Sequence, residues 1–530
     1  MKKLKFFKTI LIPSLGVLTL GTIAAVATSC GGDKTPVIDV GENVGITANA
    51  SSTLTFVHNY VGNFPDLQYS IDGGTSWNTY SEEISISRGQ TLLLKGNNPE
   101  GWSHSRSTYS YLSISGNVSI SGNVMGLLDN GAISGEEGNI AAIPCDYCFY
   151  DLFRNSTGIT SVSDDFLPAT VLKYNCYDGM FYGNSTLKIA PTLPATNLAG
   201  NCYNYMFNSC SSLTAAPELP AETLEAECYE YMFYQCTQLT TAPKLPATTL
   251  ATSCYDYMFS GCTSLIAAPE LLATTLIFGC YTYMFSGCTS LTQAPELPAT
   301  TLATSCYESM FQGCSNLTTA PNLQATELAD DCYRYMFSGC ESLTAAPELP
   351  AATLAEGCYE WMFNGCTSLT QAPNLPATNL DKDCYSNMFK RCTSLTQAPE
   401  LLPATTLATS CYRNMFYYCS SLTTAPELRA TSLAAECYRY MFYGCSSLTA
   451  APDLLATTLA DYCYSYMFFD CNSLTSIRIG FSGNYNKLYF DKWVNSVSSS
   501  GTFYYKGSDT LANFGFPTGE GTNWTINQDW

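Results

Sequence analysis

The chain has 530 residues, and 23 Lys and Arg stand against 44 Asp and Glu, a formal charge of −21. A surface of that sign repels phosphate backbones and anionic headgroups, which argues against nucleic acid as a partner. The whole chain has two histidines, His58 and His104, so imidazole-based nucleophilic chemistry has almost nothing to draw on, whereas 26 cysteines raise the question of disulfides.

Residues 1–29 read as a secretory signal. Lys2, Lys3, Lys5 and Lys8 are followed by an uncharged apolar run over residues 9–26, then by Ala27, Thr28 and Ser29. Cys30 directly after small residues resembles a bacterial lipoprotein signal, which implies lipidation of Cys30 and a membrane anchor. A retained membrane helix is the rival reading. Either way the remainder lies outside the cytoplasmic membrane, and no later stretch approaches the roughly 18 apolar residues that span a bilayer. Loss of the four lysines leaves 19 basic residues against 44 acidic, or −25. Residues 30–42 form a tether.

Residues 43–128 alternate in the β manner, as in Leu54-Thr-Phe-Val, Leu67-Gln-Tyr-Ser-Ile, Ile84-Ser-Ile-Ser and Thr91-Leu-Leu-Leu-Lys. Asp72-Gly-Gly and Ser87-Arg-Gly supply turns between them. The pattern predicts a small antiparallel sandwich with Trp77 and Trp102 in its core or rim. Residues 129–175 read as a cap and divergent first repeat, with Cys148-Phe-Tyr-Asp-Leu-Phe matching the later motif loosely.

From Cys176 the motif Cys-Tyr-x-Tyr-Met-Phe-x-Gly-Cys-Thr-Ser-Leu-Thr-x-Ala-Pro-Glu-Leu-Pro-Ala-Thr-Thr-Leu-Ala returns every 26 residues to Cys384. An extra leucine in Leu401–Leu402 delays the next start to Cys411, and Cys437 and Cys463 follow in step. Twelve such units fill residues 176–475. A fixed period in this range predicts a solenoid in which each unit buries its apolar side against its neighbours. Such an array presents a surface, whereas catalysis needs several different residues in one place.

With the first cysteine as position 0, the apolar set is 0, 1, 4, 5 and 8. At 100° per residue these fall within an arc of about 140°, which predicts one short helix facing inward. Positions 2 and 6 then face solvent, among them Asn204, Glu230, Asp256, Thr282, Arg334 and Ser386. Gly at position 7 ends the helix, and serines such as Ser253 and Ser305 cap the next one. Positions 11–14 add a short strand to a parallel ladder, with Pro at position 15 at its end. Twelve of 14 methionines stand at position 4, a packing column between stacked units. Residues 476–530 lose the period and read as a C-terminal cap of a short helix and strands.

Two cysteines eight residues apart on one helix are about 12 Å apart along its axis, too far to bridge. Buried free thiols are therefore favoured, with bridges from position 8 to the next position 0 as the alternative. Cys145-Asp-Tyr-Cys148 has the Cys-x-x-Cys spacing, but no second such pair completes a zinc site, so neither metal nor cofactor is expected. Two surface columns remain as candidate binding sites. Position 3 is aromatic at Tyr205, Tyr231, Tyr257, Tyr283, Tyr335 and Trp361, and position 16 is acidic at Glu218, Glu270, Glu296 and Glu348.

The run Met-Phe-x-Gly-Cys-Thr-Ser-Leu-Thr with its following Pro and Leu resembles the BspA-type leucine-rich repeats of bacterial surface proteins. Phe207, Cys210 and Leu213 match the family's Phe, Cys and Leu, while Ala216-Pro217-Glu218-Leu219 departs from its Ile-x-Ile-Pro strand. The resemblance implies an α/β repeat solenoid, leucine-rich-repeat-like, with a parallel strand ladder and short helices, preceded by the small all-β domain. It also implies a non-enzymatic surface protein that contacts host, matrix or bacterial proteins. A glycan-binding role through the aromatic column and the β domain is the alternative.

Overall fold

The computed structural model describes residues 43–59, 65–128, 142–481, 486–516 and 521–529, all within one compact unit. The signal, Cys30 and the tether lie outside the described residues. Eight strands precede the repeats: β1 (Val44–Ala48), β2 (Ser52–His58), β3 (Gln68–Ser70), β4 (Asn78–Thr79), β5 (Ile84–Ile86), β6 (Thr91–Lys95), β7 (Ser110–Ser115) and β8 (Val118–Gly122). Antiparallel pairing builds them into two sheets, one in the order β4-β3-β6-β1-β8 and the other β5-β2-β7. Alternate residues of each strand fill the space between, among them Ile46, Leu54, Leu92, Leu112, Ile114 and Ile120. Trp102 is fully buried and its indole N–H donates to the Ser110 carbonyl at 3.0 Å. Trp77 lies at the rim under the Lys95 ammonium.

The β-rich region runs directly into the array. Strand β9 (Ile159–Val162) pairs parallel with β8, so the first sheet becomes the first rung of the solenoid. Arg106 fastens the same seam through one guanidinium nitrogen, which donates to Asn175, Asp178 and Asn201 at 3.2, 3.1 and 2.8 Å.

Within the array the expected parallel ladder is present but reduced to single rungs. Position 13 pairs with position 13 of the next repeat (Ala215 with Thr241, Gln293 with Thr319), and position 21 with position 21 (Thr223 with Thr249). The extra residue before Cys411 falls between these two rungs. Gln397 still pairs with Thr424, and β10 (Leu401–Leu402) aligns with β11 (Glu427–Leu428) so that Leu402 keeps the buried place of the regular leucine. From β12 (Ala450–Leu454) of the Cys437 repeat the ladder continues in parallel beyond the repeats through β13 (Ser476–Ile479), β14 (Ser500–Tyr504) and β15 (Asn523–Asn527). The C-terminal segment thus keeps the coil after its sequence period has faded, and Phe490 and Trp493 cover the last Tyr464 and Phe468 rings.

The expected short helices are absent: the described residues contain no α-helix. Positions −3 to 8 form a chain of overlapping turns. Amides at even positions bond locally, as Cys202, Asn204, Met206, Asn208 and Cys210 do to carbonyls three residues back at 3.0–3.2 Å. Amides at odd positions reach the next repeat, as Tyr203, Tyr205, Phe207 and Ser209 do to Cys228, Glu230, Met232 and Tyr234 at 2.7–3.1 Å. Every fourth residue is left-handed, with φ of 57° at Asn201, 55° at Tyr205 and 61° at Ser209. Ser253 and Ser305, expected as helix caps, hold the first of these left-handed places.

Side chains consequently run two in and two out. Positions 0, 1, 4, 5 and 8 are buried in every repeat, and their rings stack along the axis: Phe259, Phe285 and Phe311 lie 5.7 Å apart. Positions 2 and 6 are not solvent-facing as expected. Asn204 and Ser386 are 1% exposed and Thr282 9%, because equivalent residues of successive coils cover one another. Asn204 bridges to Asn201 and Glu230 at 2.9 and 3.0 Å, and Arg334 reaches Glu360 of the next repeat at 2.9 Å.

This turn ladder carries uncompensated acid. Burial, then Glu227, pushes the Glu230 carboxyl up to about 7, and burial, then Glu230 and Glu308, pushes Asp256 up to about 8. The Asp256 Oδ1 atom is buried without a hydrogen-bond partner. A folded-state pKa above the unfolded value means that the folded array binds the proton more tightly, so this stretch loses stability as pH rises from about 4 to about 8. Replacing Asp256 with Asn should raise the melting temperature more at pH 8 than at pH 5. A pH-independent difference would refute the assignment.

Core coupling is testable at Phe285. Truncation to Ala should cost about 3–5 kcal/mol, the usual value for an aromatic cavity. Nearest-neighbour coupling confines the damage, so hydrogen exchange should rise most in the repeats beginning at Cys254, Cys280 and Cys306. Amides of β1–β8 should keep their protection, and their loss would mean that the whole unit unfolds as one.

Candidate interaction surfaces

The aromatic column follows from the turn geometry. Position 3 is left-handed and points outward, yet one coil rises so little that like rings must meet face to face. Tyr205, Tyr231, Tyr257 and Tyr283 stack with centroids 4.8, 4.6 and 4.4 Å apart, and Tyr335 stacks on Trp361 at 5.5 Å. All six are half-buried. Burial pushes the Tyr205 phenol up to about 12 and raises Tyr231 and Tyr257 as well. Tyr231 and Tyr257 spend both faces on neighbours, whereas Tyr283 and Tyr335, on either side of Ser309, each stack on one neighbour of the column. Lys390 lies 4.4 Å above the Trp361 ring, so this aromatic also has a cation on it.

The acidic column occupies a different flank. Glu218, Glu270, Glu296 and Glu348 are exposed, in the loop that follows the position-13 rung. They cannot turn inward, because Leu at position 17 takes the inward place, as at Leu219, Leu271 and Leu297. Between successive loops run shallow grooves walled by Ala and Pro. One, of about 490 Å³, lies between Ala242-Pro243-Lys244 and Ala268-Pro269-Glu270. Two exposed aliphatic residues, Ile266 and Leu272, stand where most repeats have Thr and Pro, and Phe278 of the same repeat is 53% exposed. Similar grooves lie beside Glu218 and beside Glu296. The acidic column is legible in the sequence, whereas the groove beside Glu270 is marked there only by the departure of Ile266 and Leu272 from the repeat.

The array cysteines are committed elsewhere. All 25 cysteines in the described residues are unbridged, and every one from Cys176 onward is buried. Position-8 thiols donate to the carbonyl of the preceding repeat's Phe, as Cys210 does to Phe181 and Cys288 to Phe259, at 3.2 and 3.1 Å. Burial pushes these thiols well above their ordinary range. Both histidines are exposed and sit in the β-rich region.

A family model described as BspA type leucine rich repeat region matches in six copies, with spans from residue 147 to residue 499. No curated protein matches the chain. A leucine-rich repeat protein from Bacteroides ovatus ATCC 8483 is 16% identical over 78% of this chain and 96% of its own, with a TM-score of 0.44. A leucine rich cell surface protein from Faecalibacterium prausnitzii A2-165 is 15% identical over 72% of this chain and 93% of its own, with a TM-score of 0.33. The repeats from residue 147 to residue 499 make this chain a member of the BspA-type leucine-rich repeat family.

Proposed function

We propose that this protein is a non-enzymatic, lipid-anchored surface protein whose array binds a protein partner along the acidic flank. The observation that carries the reading is the exposure of Glu218, Glu270 and Glu296 beside apolar grooves, with Glu348 exposed on the same flank. Apolar grooves on a mostly acidic flank, with Lys244 the one cation at position 16, suit a polypeptide that offers apolar side chains among basic ones, since charge sets partner choice and encounter rate. Membership of the family supports a binding or adhesion role outside the cytoplasm. The lipoprotein-like signal supports attachment through Cys30. A glycan ligand is the second reading; sugars bind aromatic faces, and in the column Tyr231 and Tyr257 have both faces occupied by neighbouring rings.

Charge reversal tests the flank. With Glu270, Glu296 and Glu348 changed to Lys, capture of host matrix or bacterial surface proteins should fall about tenfold at low salt. Equal capture by the variant, or loss on Trp361→Ala together with signal on a glycan array, would overturn the reading. Anchoring has its own test: Cys30→Ser should move the protein from the membrane to the soluble fraction, and unchanged retention would indicate an uncleaved helix.

A further inference from the structure

One thiol pair stands apart from the array. Cys145 is the sole cysteine among the described residues that is not buried. It occupies position −3 of the divergent first repeat, where later repeats have residues such as Ala199, Ala251 and Ala303. Its Sγ lies 3.1 Å from the Sγ of Cys148, the position-0 cysteine of the same repeat. A disulfide bond is about 2.05 Å long, so the two sulfurs need to close about 1 Å.

The surroundings are built around this pair. Gly101, with φ of +107°, approaches so closely that a Cβ there would meet the Cys145 Sγ at 3.0 Å and the Cys148 Cα at 3.3 Å. The next amide, Trp102 N–H, donates to the Cys148 carbonyl at 2.8 Å. The seam between the β-rich region and the first repeat therefore holds the two thiols side by side, one half-buried and one fully covered. Among the described residues no group of three or more His, Cys, Asp or Glu could hold a metal, which leaves the pair without the further ligands zinc requires.

We propose that Cys145 and Cys148 form a dithiol–disulfide site that exchanges with extracellular disulfides while the cysteines of the array stay reduced. The Cys145 thiolate attacks one sulfur of a disulfide of low molecular weight, breaking its S–S bond and releasing one thiolate. The resulting mixed disulfide sits beside Cys148. Cys148 gives its proton to water, and its thiolate attacks the Cys145 Sγ and expels the second thiolate. Two electrons pass from the protein dithiol to the oxidant, which leaves as two thiols. The order of attack follows from the environment. The hydrogen bond between the two thiols lowers Cys145, while burial, then that same hydrogen bond, raises Cys148. The half-buried, more acidic thiol attacks first and its fully buried neighbour resolves.

The test uses the whole protein, reduced, freed of reductant and exposed to oxidised glutathione under native conditions. Free thiols are then blocked, the chain is unfolded and newly exposed thiols receive a second label before peptide mapping. The expected product is a Cys145–Cys148 bridge two hydrogens lighter, with the cysteines from Cys176 onward carrying only the second label. Cys148→Ser should trap glutathione on Cys145, and Cys145→Ser should leave Cys148 unoxidised. If Cys148→Ser fails to fold, the wild-type map decides alone. A lasting glutathione adduct on wild-type Cys145, equal oxidation of the array cysteines, or no oxidation at 145–148 would each overturn the proposal.

Discussion

Everything in this structure depends on how the backbone of the turn chain divides its amides between two partners. Buried amides left unpaired are costly, so a coil stacked on both sides must supply an acceptor for each. A helix would use every amide within itself and leave stacking to side chains. Here alternate amides stay local and the others cross to the next coil. Each repeat is thereby hydrogen-bonded to its neighbour through the segment that also carries its largest side chains. The left-handed residue at every fourth position makes the alternation possible, and it is why two side chains in every four point inward.

The same accounting explains the cysteines. The Phe carbonyl at position 5 accepts its own repeat's position-8 amide and then a donor from the following repeat's position 8. That donor is a thiol from Cys210 onward. In the Cys176 repeat it is Asn184, whose amide reaches the Phe153 carbonyl at 2.8 Å, and in the first it is Ser156, whose hydroxyl reaches Leu112 of β7 at 2.7 Å. Three residue types share one place because each is small and brings a buried donor. A disulfide at position 8 would remove that hydrogen from every coil, which makes the reduced thiol a structural requirement of the array.

Period, architecture and the buried set were legible because stacking makes every repeat report the same constraint. The helix was misread for a definable reason. Over nine residues, positions 0, 1, 4, 5 and 8 satisfy both a 3.6-residue wheel and a four-residue turn chain. What separates them is glycine spaced by four: Gly179 and Gly183 at positions 3 and 7, and Gly279 and Gly357 at position −1, all left-handed. The burial of position 2 was hidden for a related reason, since polar residues such as Asn204 and Glu230 satisfy each other between coils and so need no solvent. The acidic column was legible because position 16 is acidic in most repeats, with Lys244 and Asn322 among the exceptions, and a column of like charges has to face water.

A stacked core this repetitive leaves recognition to the residues that break the pattern. Replacing one inward Phe disturbs two stacking contacts, whereas an outward residue answers only to its immediate neighbours. The position-3 column shows the freedom this allows, because Ser309, Asn387 and Asn414 interrupt it while keeping the left-handed backbone for Ser309 at 54°, Asn387 at 58° and Asn414 at 54°. The Cys254 repeat shows it on the other flank, where Ile266 and Leu272 replace polar or cyclic residues and stay exposed. Exposed aliphatic side chains gathered in one repeat cost solubility and add nothing to the core. Their place beside Glu270, on a coil whose interior is identical to its neighbours, sets this repeat apart as the part of the flank with its own chemistry.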